Sequence, residues 1–248
     1  MRAGAQDGAP LRITSSESEG RLQGSVEAAM PHGFGAVAAA LGSPQAWCGI
    51  LMLHLNNKAC SLVDANDGPR IALAIARKHD QTASQAHVLE LHWRAVQTTG
   101  GQLVVRLDAK NGPIGSTDYE VVLTARPLSD TRTQINFSYA CRFGSAARLL
   151  LHTYLATLGR DKVGFTVVEE GAGAGAGGVG GLRGIVERTA MRYYLAIDAW
   201  LQAETLAPGR RAQFRLEHWF DATERYPRQL RQVDRATYLR TKRLELGL

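Results

Sequence analysis

Between residues 50 and 141 apolar side chains recur at every second position in six successive segments, and a short turn signal separates each from the next. No other feature narrows the fold so far. Residues 50–62 end at Asp64-Ala65-Asn66-Asp67-Gly68-Pro69, and residues 71–78 alternate Ile71, Leu73 and Ile75 against alanines. Residues 87–97 place Leu89, Leu91 and Trp93 on one face and Glu90, His92 and Arg94 on the other, the pattern of a half-buried antiparallel strand. Gly100-Gly101 turns into Leu103, Val105 and Leu107, Asn111-Gly112-Pro113 into Tyr119, Val121 and Leu123, and Ser129-Asp130 into Ile135, Phe137, Tyr139 and Cys141. Six strands joined by short loops form an antiparallel meander.

Helical signals flank the meander. Residues 1–18 are small, polar and aperiodic, which predicts a flexible lead-in, and residues 19–28 read as a strand. Pro31 and His32 open an alanine-rich helix that Gly42 stops, and Ser43 as N-cap with Pro44 at the first helical position starts a short second helix carrying Trp47. After Gly144 the period changes to 3.6: Ala147, Leu150, Leu151, Tyr154, Leu155 and Leu158 share a face. A short apolar run at 163–168 reads as an extra strand or an extended arm, and the glycine-alanine run 171–181 as a surface loop. The longest helix covers 182–206, with Leu182, Val186, Tyr193, Ile197, Trp200 and Leu201 near one side, and Pro208-Gly209 ends it. Residues 207–248 read as two short charged helices broken at Tyr226-Pro227, a basic helical extension.

A chain of 248 residues with 45% hydrophobic and 21% charged residues can bury a large core, and it has no apolar run long enough to span a membrane as a helix. Of the net charge of +6, +5 sits in the tail, where residues 209–248 hold ten Lys/Arg against five Asp/Glu. Acids interleave with bases there at helical spacing, so a solvated helix surface is preferred to a nucleic-acid or lipid site. Cys48, Cys60 and Cys141 lack metal-ligand spacing, and no metal site or cofactor is expected. Cys48 and Cys60 would pair in an oxidising compartment if the chain folds back between them; buried free thiols are the preferred reading. Compartment stays open: periplasmic if this is a processed or truncated exported chain, cytoplasmic otherwise.

The order of elements, together with Gly42-Ser43-Pro44-Gln45-Ala46-Trp47, resembles the START-like, helix-grip superfamily of lipid-transfer, polyketide cyclase/dehydratase and pollen-allergen-type proteins. The resemblance spans residues 19–206 and implies an α+β, helix-grip fold: a curved antiparallel sheet wrapped around a long C-terminal helix, with an apolar cavity between them and an added helical tail. Two helices are candidates for the gripping one, around Leu150 and around Tyr193, and the second, longer helix is preferred.

On that basis the expected ligand-binding residues are Arg77, Trp93, Tyr119, Phe137, Tyr139, Met191, Tyr193, Tyr194 and Trp200, with Arg77 for an anionic head group. No catalytic residue is assigned. Glu90 and His92 share a face, but opposite the apolar set, and so read as a solvent-side pair. Gly173, Gly175 and Gly178 fit a dinucleotide fingerprint by spacing alone, because no second strand follows to complete a βαβ unit. The leading function is binding, with transport as an extension, of a hydrophobic small molecule such as a lipid, fatty acyl or polyketide-like ligand; nucleic acid is not expected. The alternatives are a cyclase/dehydratase or hydrolase in the same cavity, and an interaction module whose basic tail docks on a partner or contacts a membrane surface peripherally.

Overall fold

The computed structural model describes residues 11–98, 100–144, 162–168 and 177–248. Eight strands form one antiparallel sheet: β1 (Arg12–Ser18), β2 (Arg21–Met30), β3 (Asn57–Ala65), β4 (Gly68–Ile75), β5 (His87–Thr98), β6 (Gln102–Asn111), β7 (Ser116–Ser129) and β8 (Arg132–Phe143). Their order is β1-β2-β8-β7-β6-β5-β4-β3, so the last strand returns beside the second and the meander closes the sheet from both ends. Cross-strand partners carry the same apolar face from strand to strand: Leu73 lies opposite Leu89, Trp93 opposite Leu107, Leu107 opposite Val121, and Leu123 opposite Phe137.

Helix α1 (Phe34–Leu41) and helix α2 (Pro44–Met52) follow β2 and meet at 83°. The Ser43 hydroxyl accepts from the Ala46 N–H, and the buried Trp47 indole N–H donates to the Leu41 carbonyl, which ties the two helices at their corner. The long helix α3 (Gly181–Ala203) lies across the concave face, as preferred from its length. Gly24 lets it approach β2: a Cβ at that position would stand 2.5 Å from the Val186 carbonyl oxygen. A curved antiparallel sheet closed on a long helix is the helix-grip architecture.

The structure corrects four expectations. Residues 12–18 are not a lead-in but strand β1, turned into β2 by Glu19 and Gly20, both at positive φ as a tight hairpin requires. This polar edge strand gains its order from backbone pairing, so it has little apolar alternation to read. Residues 50–52 belong to α2 rather than to a strand, because a short apolar run cannot separate buried helix from buried strand. Cys48 and Cys60 form a disulfide with Cα atoms 5.7 Å apart, joining α2 to β3, whereas Cys141 is a buried free thiol. A loop of this length contributes about 3 kcal/mol when cross-linked.

The fourth concerns the tail. It holds three helices, α4 (Pro208–Glu224), α5 (Pro227–Leu230) and α6 (Arg235–Leu246), and Pro208 opens α4 rather than closing α3. Leu216, Trp219, Phe220, Leu230, Tyr238 and Leu239 are buried in the same core as the sheet. The extension thus covers the side of α3 that the sheet leaves open. The helix expected around Leu150 and the glycine run from 171 to 176 lie outside the described residues. The arm at 163–168 ends in a two-residue strand, β9 (Val167–Val168), paired with β10 (Gly177–Gly178). Among the described residues no single helix is long and apolar enough to cross a membrane.

Candidate functional site

Between the sheet, α3 and the turn that follows α2 lies a half-open cavity of about 160 Å³. Its apolar wall is Leu51 from α2, Leu73 and Ile75 from β4, Leu89 and Leu91 from β5, and Val121 from β7. Its polar end is His54 and Asn56 from the turn between α2 and β3, Asn57 at the start of β3, Tyr119 and Tyr139 from the sheet, and Thr189 and Tyr193 from α3.

Local geometry puts each polar group there. The β7 ladder shifts register between Thr117 and Glu120, with Asp118 at φ 50°, and this bulge brings both Ser116 and Tyr119 to the buried side. The Ser116 hydroxyl donates to the Pro113 carbonyl, so the 2.8 Å bond between Ser116 and Tyr119 has the phenol as donor. Gly112 leaves room for the Tyr119 ring, whose edge would be 2.1 Å from a Cβ. Tyr139 meets Tyr119 edge to face at 6.0 Å, and the Tyr193 ring lies 5.6 Å from the His54 ring.

Protonation states follow from burial. Burial holds the His54 imidazole well below its ordinary value, with Arg192, Lys242 and Lys58 acting in the same direction. Burial pushes Tyr119 up to about 12 and raises Tyr139 and Tyr193 as well. Every titratable group lining the cavity is therefore neutral at pH 7.

The turn bearing His54 and Asn57 is gripped from behind by the tail. Lys242 of α6 donates to the His54 carbonyl at 3.2 Å and to the Asn57 carbonyl at 2.7 Å, and Lys58 donates to the Leu55 carbonyl at 3.0 Å. Both ammonium groups meet the single Glu245 carboxylate, at 2.6 and 2.9 Å. Burial lowers Lys242 from 10.5 to about 8, the Glu245 charge opposing the shift. A folded pKa below the unfolded one means that the unfolded chain binds more protons between pH 8 and 10.5, so stability rises with pH in that window. Above about pH 10 the raised tyrosines reverse the trend, and Lys162, also lowered by burial, adds a slope of the same sign as Lys242. The clean observable is the stability difference between wild type and Lys242→Met in urea melts. It is expected to move by about 2 kcal/mol in favour of wild type from pH 8 to pH 10, and a constant difference would contradict the assignment.

Of the nine residues expected from sequence, the cavity gathers Tyr119, Tyr139 and Tyr193. Phe137 stands behind Tyr193 at 6.2 Å, in the core. Met191 is fully buried on α3, two residues from Tyr193 and hence turned away from the cavity. Tyr194 sits where Asp198 and Tyr226 act on it. Trp200 packs on Gly49 with the Arg215 guanidinium 3.3 Å above its ring. Trp93 lies one alternate position beyond Leu91, clear of the cavity lining. Arg77 is exposed, because β4 ends at Ile75 and the parity of the strand no longer holds two residues later. The solvent-side reading of Glu90 and His92 agrees with their partners, Arg70 and Asp67. Sequence reasoning misses His54, Asn56 and Asn57; the available signal is three polar residues within His54-Leu55-Asn56-Asn57 that break an apolar run.

An antiparallel sheet closed on a long helix is a helix-grip architecture. The solved structures similar to this chain include norcoclaurine synthase from Thalictrum flavum, with 10% identity, a TM-score of 0.40, and coverage of 60% of this chain and 91% of that one. A conserved protein from Geobacillus kaustophilus has 15% identity, a TM-score of 0.36 and coverage of 56% and 86%. A START superfamily protein from Mycobacterium smegmatis has 17% identity, a TM-score of 0.33 and coverage of 56% and 92%. No protein family matches the sequence, and no curated protein matches it.

Proposed function

We propose that this protein binds a small hydrophobic molecule of about one ring in the cavity between sheet and α3. The observation that carries the reading is the cavity itself, about 160 Å³ with six aliphatic side chains on one wall and polar groups gathered at the other end. An engineered apolar cavity of about 150 Å³ takes up benzene, whereas drug-sized ligands occupy roughly 300–1,000 Å³. The volume therefore favours a single-ring compound over a fatty acyl chain or a polycyclic polyketide. Affinity in the micromolar to millimolar range fits the small apolar area available, set against the cost of immobilising a ligand.

Binding is preferred to catalysis because the described lining contains no carboxylate, and the one imidazole has its Nδ1 lone pair engaged by the Asn56 N–H at 3.2 Å. The Cys48–Cys60 bridge supports an oxidising compartment such as the periplasm. Native mass spectrometry and thermal shift with single-ring compounds and with palmitate test the reading. Ring compounds are expected to raise Tm, palmitate is expected to leave it unchanged, and Thr189→Trp, which narrows the cavity, is expected to abolish the response. A stoichiometric fatty-acid adduct from the purified protein would replace the ring-sized ligand with an acyl one.

A further inference from the structure

The hydrogen bonds around the polar end fix where its protons are. The Asn57 side-chain nitrogen lies 2.7 Å from the Leu51 carbonyl and 3.3 Å from the Tyr193 hydroxyl. A carbonyl oxygen only accepts, so the atom facing Leu51 must be the amide nitrogen, and its second hydrogen goes to Tyr193. Tyr193 is thus an acceptor toward Asn57, and its own proton is free to point elsewhere. The same reasoning applies to His54. The Asn56 backbone N–H approaches Nδ1 at 3.2 Å and can only donate, so Nδ1 carries the lone pair and the neutral ring carries its proton on Nε2. Neither the Tyr193 O–H nor the His54 Nε2–H has an acceptor among the described residues, and both side chains line the cavity.

The other lining hydroxyls are committed: Thr189 donates to the Ile185 carbonyl at 3.0 Å, Tyr119 donates to Ser116, and the Tyr139 hydroxyl is hydrogen-bonded to that of Tyr119. Behind the donor pair stand Lys58 and Lys242, with Glu245 as their one shared carboxylate. The polar end therefore combines two unspent donors with a positive surround, an arrangement that complements an oxygen bearing negative charge.

Resting on the single-ring reading above, we propose that the ligand is a small aromatic carboxylate whose carboxylate oxygens accept from His54 Nε2–H and Tyr193 Oη–H while its ring packs on Leu73, Leu89, Leu91 and Val121. A hydrogen bond to a charged partner is worth about tenfold or more in affinity, enough to separate an anion from an apolar ring of the same size.

Titration of the full chain with benzoate and with toluene as probes, followed by NMR, tests this. Benzoate is expected to bind at least about tenfold more tightly than toluene. Tyr193→Phe and His54→Phe are each expected to weaken benzoate about tenfold and to leave toluene within about twofold. Thermal melts identify a variant that has failed to fold, and Tyr193→Phe, which leaves Asn57 bonded to Leu51, is the conservative member of the pair. Toluene binding as well as or better than benzoate, or benzoate affinity unchanged in both variants, overturns the proposal and leaves the single-ring reading intact. Failure of both probes to bind overturns both.

Discussion

Glu187→Ala is expected to lower the stability of the protein by about 3 kcal/mol or more, with the loss read in urea or thermal melts. Glu187 is on α3 and fully buried, and its carboxylate is the meeting point of three segments distant in sequence. One oxygen accepts from the Ser15 hydroxyl at 2.6 Å and the Thr166 hydroxyl at 2.7 Å. The other accepts from the backbone N–H groups of Phe165 and Thr166 at 2.6 and 2.9 Å. Four donors surround one buried anion, which is how such a charge is tolerated away from water. Alanine removes the acceptor from all four, and the two backbone amides have no rotatable alternative.

Glu187→Gln separates the two contributions. Its oxygen can take the two amides while its nitrogen donates to the two hydroxyls, which rotate to accept, so the bonds survive without the charge. A loss of about 1 kcal/mol is expected. If the glutamine variant is as unstable as the alanine one, the negative charge itself is the tie. If the alanine variant loses less than about 1 kcal/mol, water or rearrangement satisfies those amides and the carboxylate is not what anchors β1 and the 162–168 segment to the helix.

The fold was legible in sequence wherever a local rule had a single outcome. Ser43-Pro44 started a helix, Gly100-Gly101 turned a hairpin, and alternation placed Leu89, Leu91, Val121 and Phe137 on the buried face. The site was legible only in part, and one ambiguity explains most of what was missed. Ile50-Leu51-Met52-Leu53 reads equally as strand or helix. Taken as the start of a strand it makes His54 an ordinary strand position, whereas the end of α2 at Met52 delays β3 until Asn57 and sets both residues at the polar corner of a cavity. Alternation puts Tyr119 on the cavity side, but its bond to Ser116 depends on the bulge at Asp118, which no turn residue announces. Reading α3 with a single buried side places Met191 and Trp200 in the cavity. The sheet covers one side and the tail another, so apolar residues around most of the helix are core and their number says nothing about a ligand.

The tail also decides the second large effect. Tyr238→Ala in α6 is expected to cost about 3–5 kcal/mol, the range for removing a large buried aromatic side chain. The Tyr238 ring stacks on Trp219 at 5.0 Å and lies 5.4 Å from Phe220, and its hydroxyl donates to the Leu53 carbonyl at 2.9 Å, just before His54. Trp219 in turn donates its indole N–H to the Arg192 carbonyl of α3 at 3.0 Å. Tyr238 therefore joins α6, α4 and the end of α2 in one packed unit, and the cavity turn is held to the tail by this ring and by Lys242. Deleting residues 209–248 would strip these groups from the core, so loss of a partner after that deletion would report unfolding rather than a docking surface. Point substitution is the informative test. Tyr238→Phe keeps the ring and removes only the bond to Leu53, with an expected loss of about 1 kcal/mol. The alanine variant should lose both stability and ring-compound binding, because the turn that carries His54 and Asn57 is no longer backed. An alanine variant within about 1 kcal/mol of wild type would mean that the tail rests on the domain without supporting it, and the cavity would then have to be explained by the sheet and α3 alone.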